Sequence, residues 1–140
     1  MSKKTVIYLI IGVLAIGFLL VKYIEYKEKS LDELFTNVKS FSFESHNDDD
    51  RWTTDKREAI DELKMFLSQY QVKKMKDPKG IVYSAEAVLW MNIHTKNKTL
   101  MVFFDKDRIH LPGIGYYNVL NGPIDKGWLQ SFSEKYVDEN

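Results

Sequence analysis

The sequence predicts an α+β protein: an N-terminal transmembrane helix, then a small antiparallel sheet, a three- to five-stranded meander, packed with two helices. Three observations carry that expectation. Thr5 to Val21 is an uninterrupted uncharged and largely apolar run. Ile60, Leu63, Leu67 and Tyr70 recur at helical spacing. Between Leu89 and Leu111, apolar residues alternate across polar turns, as they do on one face of a hairpin sheet.

The apolar run accounts for roughly 25 Å of helix at 1.5 Å per residue. Tyr23, Ile24 and Tyr26 extend it, and Lys22 can snorkel its ammonium to the headgroups, so residues 5–26 approach the hydrocarbon thickness of a bilayer. Tyr8 at one end and Tyr23 and Tyr26 at the other suit the interfacial aromatic belts. A cleaved signal peptide is the competing reading, because Lys3 and Lys4 form a positive leader. Against it, Lys22-Tyr23-Ile24-Glu25 offers no pair of small residues for cleavage. The expected division is a cytoplasmic tail over 1–4, a transmembrane helix over 5–26, a juxtamembrane segment over 27–37 and an α+β domain over 38–140. Lysines flank the helix on both sides, Lys3 and Lys4 before it and Lys22, Lys27 and Lys29 after it, so the local count slightly favours keeping the C-terminal side in the cytoplasm. A short tail ahead of a first apolar segment favours a signal anchor on a single-pass cell-membrane protein, with the domain extracytoplasmic.

Ser30 and Glu33 form a capping box ahead of Leu34 and Phe35, which predicts a short juxtamembrane helix or a continuation of the membrane helix. Val38 to Glu44 alternates, with Phe41 and Phe43 on one side and Ser40 and Ser42 on the other, and reads as a strand. Ser45 to Thr54 is polar and reads as a loop. Asp55 and Glu58 make a second capping box, opening the helix that carries Ala59, Ile60, Leu63, Phe66, Leu67 and Tyr70. That helix stops before Asp77-Pro78-Lys79-Gly80. The basic stretch Lys73, Lys74, Lys76 and Lys79 reads as a solvated loop, with anionic lipid headgroups as its alternative partner.

Apolar residues then occupy Ile81, Tyr83, Ala85, Ala87, Leu89, Met91 and Ile93. Two-residue turns at Lys96-Asn97 and Lys106-Asp107 fix a register by counting outward. Leu89, Met91 and Ile93 fall opposite Phe104, Val102 and Leu100, and these fall opposite Ile109, Leu111 and Gly113. Tyr116 to Leu120 resumes this strand or makes another, Asn121-Gly122-Pro123 breaks it, and Trp128, Leu129, Phe132 and Tyr136 propose a closing helix.

Lysine plus arginine equals aspartate plus glutamate at 20 each, which argues against nucleic-acid binding. The absence of cysteine removes disulfides, thiolate metal sites and thiol nucleophiles. No phosphate loop, nucleophile elbow, dinucleotide fingerprint or zinc-protease helix occurs. The expectation is therefore a protein that is not an enzyme, with no catalytic residues, cofactor or metal. His94 and His110 fall on neighbouring rows too far apart to share an ion, and His46 beside Asp48, Asp49 and Asp50 lacks the glycine turn and closing glutamate of a calcium loop. Asp105-Lys106-Asp107 is explained by turn chemistry.

The second face of the meander is the candidate working surface. It carries Val88, Trp90, Met101 and Phe103, ringed by Asn92, His94, Thr99, Arg108 and His110, and the counted register puts Trp90, Phe103 and His110 in one row. Either the protein covers this face itself, or it is a patch for a partner. On the second reading the binding residues are Trp90, Met101, Phe103, Arg108 and His110.

The anchor, the helix start Asp55-Lys56-Arg57-Glu58-Ala59-Ile60 and the hairpin strand Leu100-Met101-Val102-Phe103-Phe104 together resemble small membrane-anchored proteins of unassigned function from Bacillus-type bacteria. The resemblance implies an extracytoplasmic domain in a Gram-positive cell and transfers no functional residue. The expected function is a membrane-anchored, non-enzymatic binding module for a protein or peptide. The alternative is an immunity or exclusion protein acting through the transmembrane helix itself.

Overall fold

The computed structural model describes residues 1–44, 51–79 and 89–137 of the chain. The alternation expected over Ile81 to Val88 and the acidic loop containing His46, Asp48, Asp49 and Asp50 lie outside them.

Helix α1 (Lys3–Tyr26) runs for 24 residues, about 36 Å at 1.5 Å per residue. It is long and apolar enough to cross a membrane, and none of its residues is buried in the protein. Leu9, Ile10, Val13, Leu14 and Phe18 stand exposed around it, an arrangement water would not tolerate on a soluble helix. Ser2 caps its start, accepting from the Thr5 amide. A two-residue strand, β1 (Lys29–Ser30), and a 3-10 turn over Leu31–Leu34 follow. The capping box of Ser30 and Glu33 is present, with the Ser30 amide donating to Glu33 Oε1 at 3.1 Å. This turn delivers Leu31 and Phe35 to the core, so the segment between α1 and β2 is also part of the hydrophobic interior.

The remaining strands are β2 (Val38–Glu44), β3 (Arg51–Thr54), β4 (Gln71–Lys74), β5 (Leu89–Thr95), β6 (Thr99–Phe104), β7 (Arg108–Leu111) and β8 (Gly115–Val119). With β1 they form one antiparallel sheet of 8 strands in the order β1-β4-β8-β7-β6-β5-β2-β3. The α+β class holds, but the sheet is larger than the expected three to five strands. Three segments supply the difference: β1, in the stretch expected to be juxtamembrane, and two read as loops. Arg51–Thr54 leaves the polar run to pair with Phe41–Glu44, where Thr54 is buried opposite Phe41. Gln71–Lys74 pairs with Tyr117–Val119 despite its lysines, because Val72 alone points into the core. Backbone pairing needs no apolar side chain on an outer strand, and so hydropathy does not announce it.

The register of the central hairpin is as counted. Leu89 pairs with Phe104, Met91 with Val102 and Ile93 with Leu100. The turn closes with the Thr95 amide donating to the Lys98 carbonyl at 2.9 Å, and the next with Asp105 donating to Arg108 at 2.9 Å. On the third strand Phe104 meets Ile109 as expected and Phe103 meets His110; the β6–β7 ladder ends there, while on its other edge β7 pairs with β8 as far as Leu111 and Gly115. Gly113 at φ 78° and Gly115 at φ 145° make the turn between β7 and β8, in backbone regions that side chains rarely adopt.

Helices α2 (Arg57–Ser68) and α3 (Lys126–Val137) cover one face of the sheet. Helix α2 buries Ala59, Leu63, Phe66 and Leu67 as its spacing predicts. Its first turn differs from the expected capping box: Lys56 occupies the cap position and no side chain caps it. Asp55 is displaced by one residue because Thr54 is still paired in β3. Helix α3 starts with Asp125 accepting from the Trp128 amide at 2.9 Å and buries Leu129, Phe132 and Tyr136. Phe132 stacks on Phe41 at 5.5 Å, and Trp128 lies flat on Phe66 at 3.9 Å. These rings join both helices to the face formed by Phe41, Phe43, Met91, Ile93, Val102, Phe104 and Ile109.

Candidate binding face

Because strand side chains alternate, the residues not facing α2 and α3 project together on the other side. Trp90 on β5 pairs with Phe103 on β6, Phe103 with His110 on β7, and His110 with Tyr116 on β8. The expected row of three is a row of four. Ring centroids are 6.2 Å apart from Trp90 to Phe103, 5.7 Å from Phe103 to His110 and 4.0 Å from His110 to Tyr116. Interplanar angles of 25°, 23° and 1° make it a ladder of stacked rings. The counting that found Trp90, Phe103 and His110 stopped at the Gly113–Gly115 turn, and Tyr116 was legible only once that turn was known.

All four rings are half-buried, and Phe103, His110 and Tyr116 have further interactions beyond the ladder. Met101, two residues before Phe103 and on the same face, is 40% exposed. Burial pushes the His110 imidazole below the ordinary histidine pKa, which keeps it neutral at pH 7 and suited to stacking.

Arg108 lies on the same face of β7 as His110 and is half-buried. Its Nη2 stands 3.6 Å from Asp105 and its Nε 3.4 Å from Asp107, close enough for ion pairing though Nε has no partner in hydrogen-bond geometry. Two carboxylates of its own turn thus compensate the guanidinium, and the face presents rings and a thioether more than a net charge. No family model, curated protein or solved structure matches the chain. The chemistry of the face must therefore be read from its geometry.

His94 does not join His110. One ring nitrogen is 2.8 Å from the Thr99 hydroxyl and the other 3.4 Å from Ser42, so hydroxyls on the neighbouring strands hold it. Among the described residues no group of three or more His, Cys, Asp or Glu is arranged to hold a metal ion. The basic stretch expected as a loop divides instead: Lys73 and Lys74 lie on β4 and Lys76 just beyond it. Lys74 Nζ reaches 2.5 Å from Glu25 at the end of α1, and Lys73 stands 3.9 Å from Glu28.

Proposed function

We propose that the chain is a single-pass membrane-anchored protein of the signal-anchor type, whose extracytoplasmic domain binds a protein or peptide partner without catalysis. The observation that carries this reading is the ladder Trp90-Phe103-His110-Tyr116, half-exposed on the sheet face that α2 and α3 leave uncovered. Aromatic rings and methionine are the side chains that protein interfaces concentrate, because they remove much area from water at little entropic cost. With Arg108 compensated by Asp105 and Asp107, the chemistry suits an apolar or aromatic segment of the partner. The apolar, unburied α1 supports the anchor.

The test is site-specific photo-crosslinking in cells. A benzophenone side chain replacing Met101 should trap a discrete adduct, and one replacing Met65, exposed on α2, should not. Trp90→Ala should remove the adduct while leaving the folded far-UV spectrum. No adduct at 101, or the same adduct at 65, would refute the reading; so would unfolding by Trp90→Ala, which would make the ladder part of the core.

A further inference from the structure

Where α1 meets β4 the surface folds into a cleft of about 810 Å³. Its apolar side is Leu19, Tyr23 and Tyr26 of α1; its rim is Lys22, Lys27, Lys73 and Lys76, with Glu28 the one carboxylate among the lining residues. We propose that this cleft binds the phosphate headgroup of an anionic phospholipid, so that the protein selects the lipid beside its own anchor.

The first reason is charge. Four lysines converge on one cleft of a chain whose net charge is zero. Lys22 is held by Glu25 at 3.0 Å, while Lys73 reaches Glu28 only at 3.9 Å with both side chains exposed. Lys27 and Lys76 have no carboxylate within ion-pair distance among the described residues. Lys22, Lys74 and Lys76 place their ammonium groups 5.6 to 5.9 Å from the Tyr26 ring. Glu25 already neutralises Lys22 and Lys74, so the positive charge left for an external anion is carried by Lys27 and Lys76, with Lys73 only loosely met by Glu28.

The second reason is depth. Leu19 lies seven residues before the end of α1 at Tyr26, about 10 Å along the axis at 1.5 Å per residue. A cleft lined along α1 from Leu19 to Lys27 therefore spans the layer from upper acyl chain to headgroup, if α1 crosses the bilayer. That is the one premise shared with the proposed function. Tyr23 and Tyr26 are side chains that favour this layer, and lysines beside it attract anionic lipid. A free phosphate would use the lysines but leave the Leu19 and Tyr23 surface unused, whereas a phospholipid uses both.

The third reason is the division of labour on β4. Lys74 lies on the same side of β4 as Val72 but beyond the buried core, where Glu25 and the Tyr26 ring take it up. Lys73, its neighbour, projects to the opposite side because strand positions alternate. One lysine fixes the strand to α1, and the next is left to line the cleft.

Alkaline carbonate extraction of membranes tests the shared premise by itself. The chain in the pellet keeps the inference standing, and release to the supernatant overturns it together with the anchor. The inference proper is tested on the full chain in mild detergent, with equimolar dioleoyl phosphatidylglycerol and dioleoyl phosphatidylcholine and native mass spectrometry as readout. The phosphatidylglycerol adduct should exceed the phosphatidylcholine adduct by about tenfold and persist in excess inorganic phosphate. The combined Lys27→Gln, Lys73→Gln and Lys76→Gln variant should lose the preference. Equal retention of the two lipids, displacement by inorganic phosphate, or an unaltered preference in the triple variant each overturns the proposal. Should the triple variant fail to fold, Glu28→Gln removes the opposing carboxylate and should raise phosphatidylglycerol retention; unchanged or reduced retention overturns the proposal equally.

Discussion

Lys74 reaches Glu25 by running its side chain over Gly115: a Cβ at residue 115 would lie 2.7 Å from Lys74 Cε. The ion pair that joins β4 to the end of α1, at 2.5 Å, thus runs across a position of β8 that has no side chain. Gly115 also holds φ at 145°, a conformation that carries strain for any other residue.

Gly115→Ala is therefore expected to destabilise the protein by about 1 to 3 kcal/mol. The backbone strain accounts for part of this, and displacement of Lys74 for the rest. In a Lys74→Ala background the same substitution should cost less, because only the backbone component remains. Urea unfolding of the four proteins of this cycle, followed by tryptophan fluorescence, measures the difference. Equal costs in the two backgrounds would show that Lys74 yields to the new methyl group freely.

His110 makes stability fall on mild acidification. Burial lowers its folded-state pKa below the ordinary value of about 6.5, so the unfolded chain binds the proton more readily than the folded one. The neutral ring's contribution is complete above that unfolded value and is lost as pH falls through it towards the depressed folded value. Phe103 and Tyr116 face the ring on either side, and neither can compensate an imidazolium with a charge. The unfolding midpoint should drop as pH falls below about 6.5. His110→Phe should flatten that part of the profile while preserving the stack; a profile unchanged by the substitution would remove His110 as the cause.

The elements with periodic side chains were legible from sequence: α2 from Ala59, Leu63 and Leu67, β5 and β6 from the pairing of Met91 with Val102, and α3 from Leu129 and Phe132. Those specified by backbone pairing were not. Gln71–Lys74 shows three polar residues around Val72, and Arg51–Thr54 sits in a polar run, yet each forms a strand beside one already present. Asp55 illustrates a local signal overridden by its neighbour, since the capping pattern loses to the pairing of Thr54 with Phe41. The ladder was three-quarters legible because hairpin register follows from turn length, whereas Tyr116 lay beyond a glycine turn whose length hydropathy does not set. The cleft at α1 was least legible, because Leu19 and Lys76 are far apart in sequence and only the fold brings them together.

Glu62 joins the two helices and adds a second, lower pH window. Its Oε2 accepts from Lys135 Nζ at 2.8 Å and from the Tyr136 hydroxyl at 2.7 Å. The Lys135 hydrogen bond holds the carboxyl below its ordinary pKa, against a smaller opposing effect of burial. A depressed folded value means that this contribution is present above the unfolded pKa, about 4.3, and is lost as pH falls below it. Glu62→Gln should remove that loss, leaving a flatter profile as pH falls below about 4.3. Tyr136→Phe should cost about 1 kcal/mol at neutral pH, the value of one hydrogen bond. Far-UV melts across the pH range measure both.

Orientation is decided by residues on either side of α1. Lys3 and Lys4 precede its apolar stretch; Lys22, Lys27 and Lys29 follow, interleaved with Glu25 and Glu28. Lysine counts within a turn or two of the helix ends are thus close to parity, and carboxylates weigh little in this balance. On the proposed reading the domain beyond is long enough to be translocated largely regardless of its own charge, which would leave Lys3 and Lys4 as the retaining signal. A protease added to intact cells should therefore digest a C-terminal tag, and Lys3→Glu with Lys4→Glu should protect a larger fraction of it. A tag protected in intact cells and digested only after lysis would place the domain in the cytoplasm. The partner of the Trp90 ladder would then have to be a cytoplasmic protein, and the lipid at the α1 cleft one of the inner leaflet.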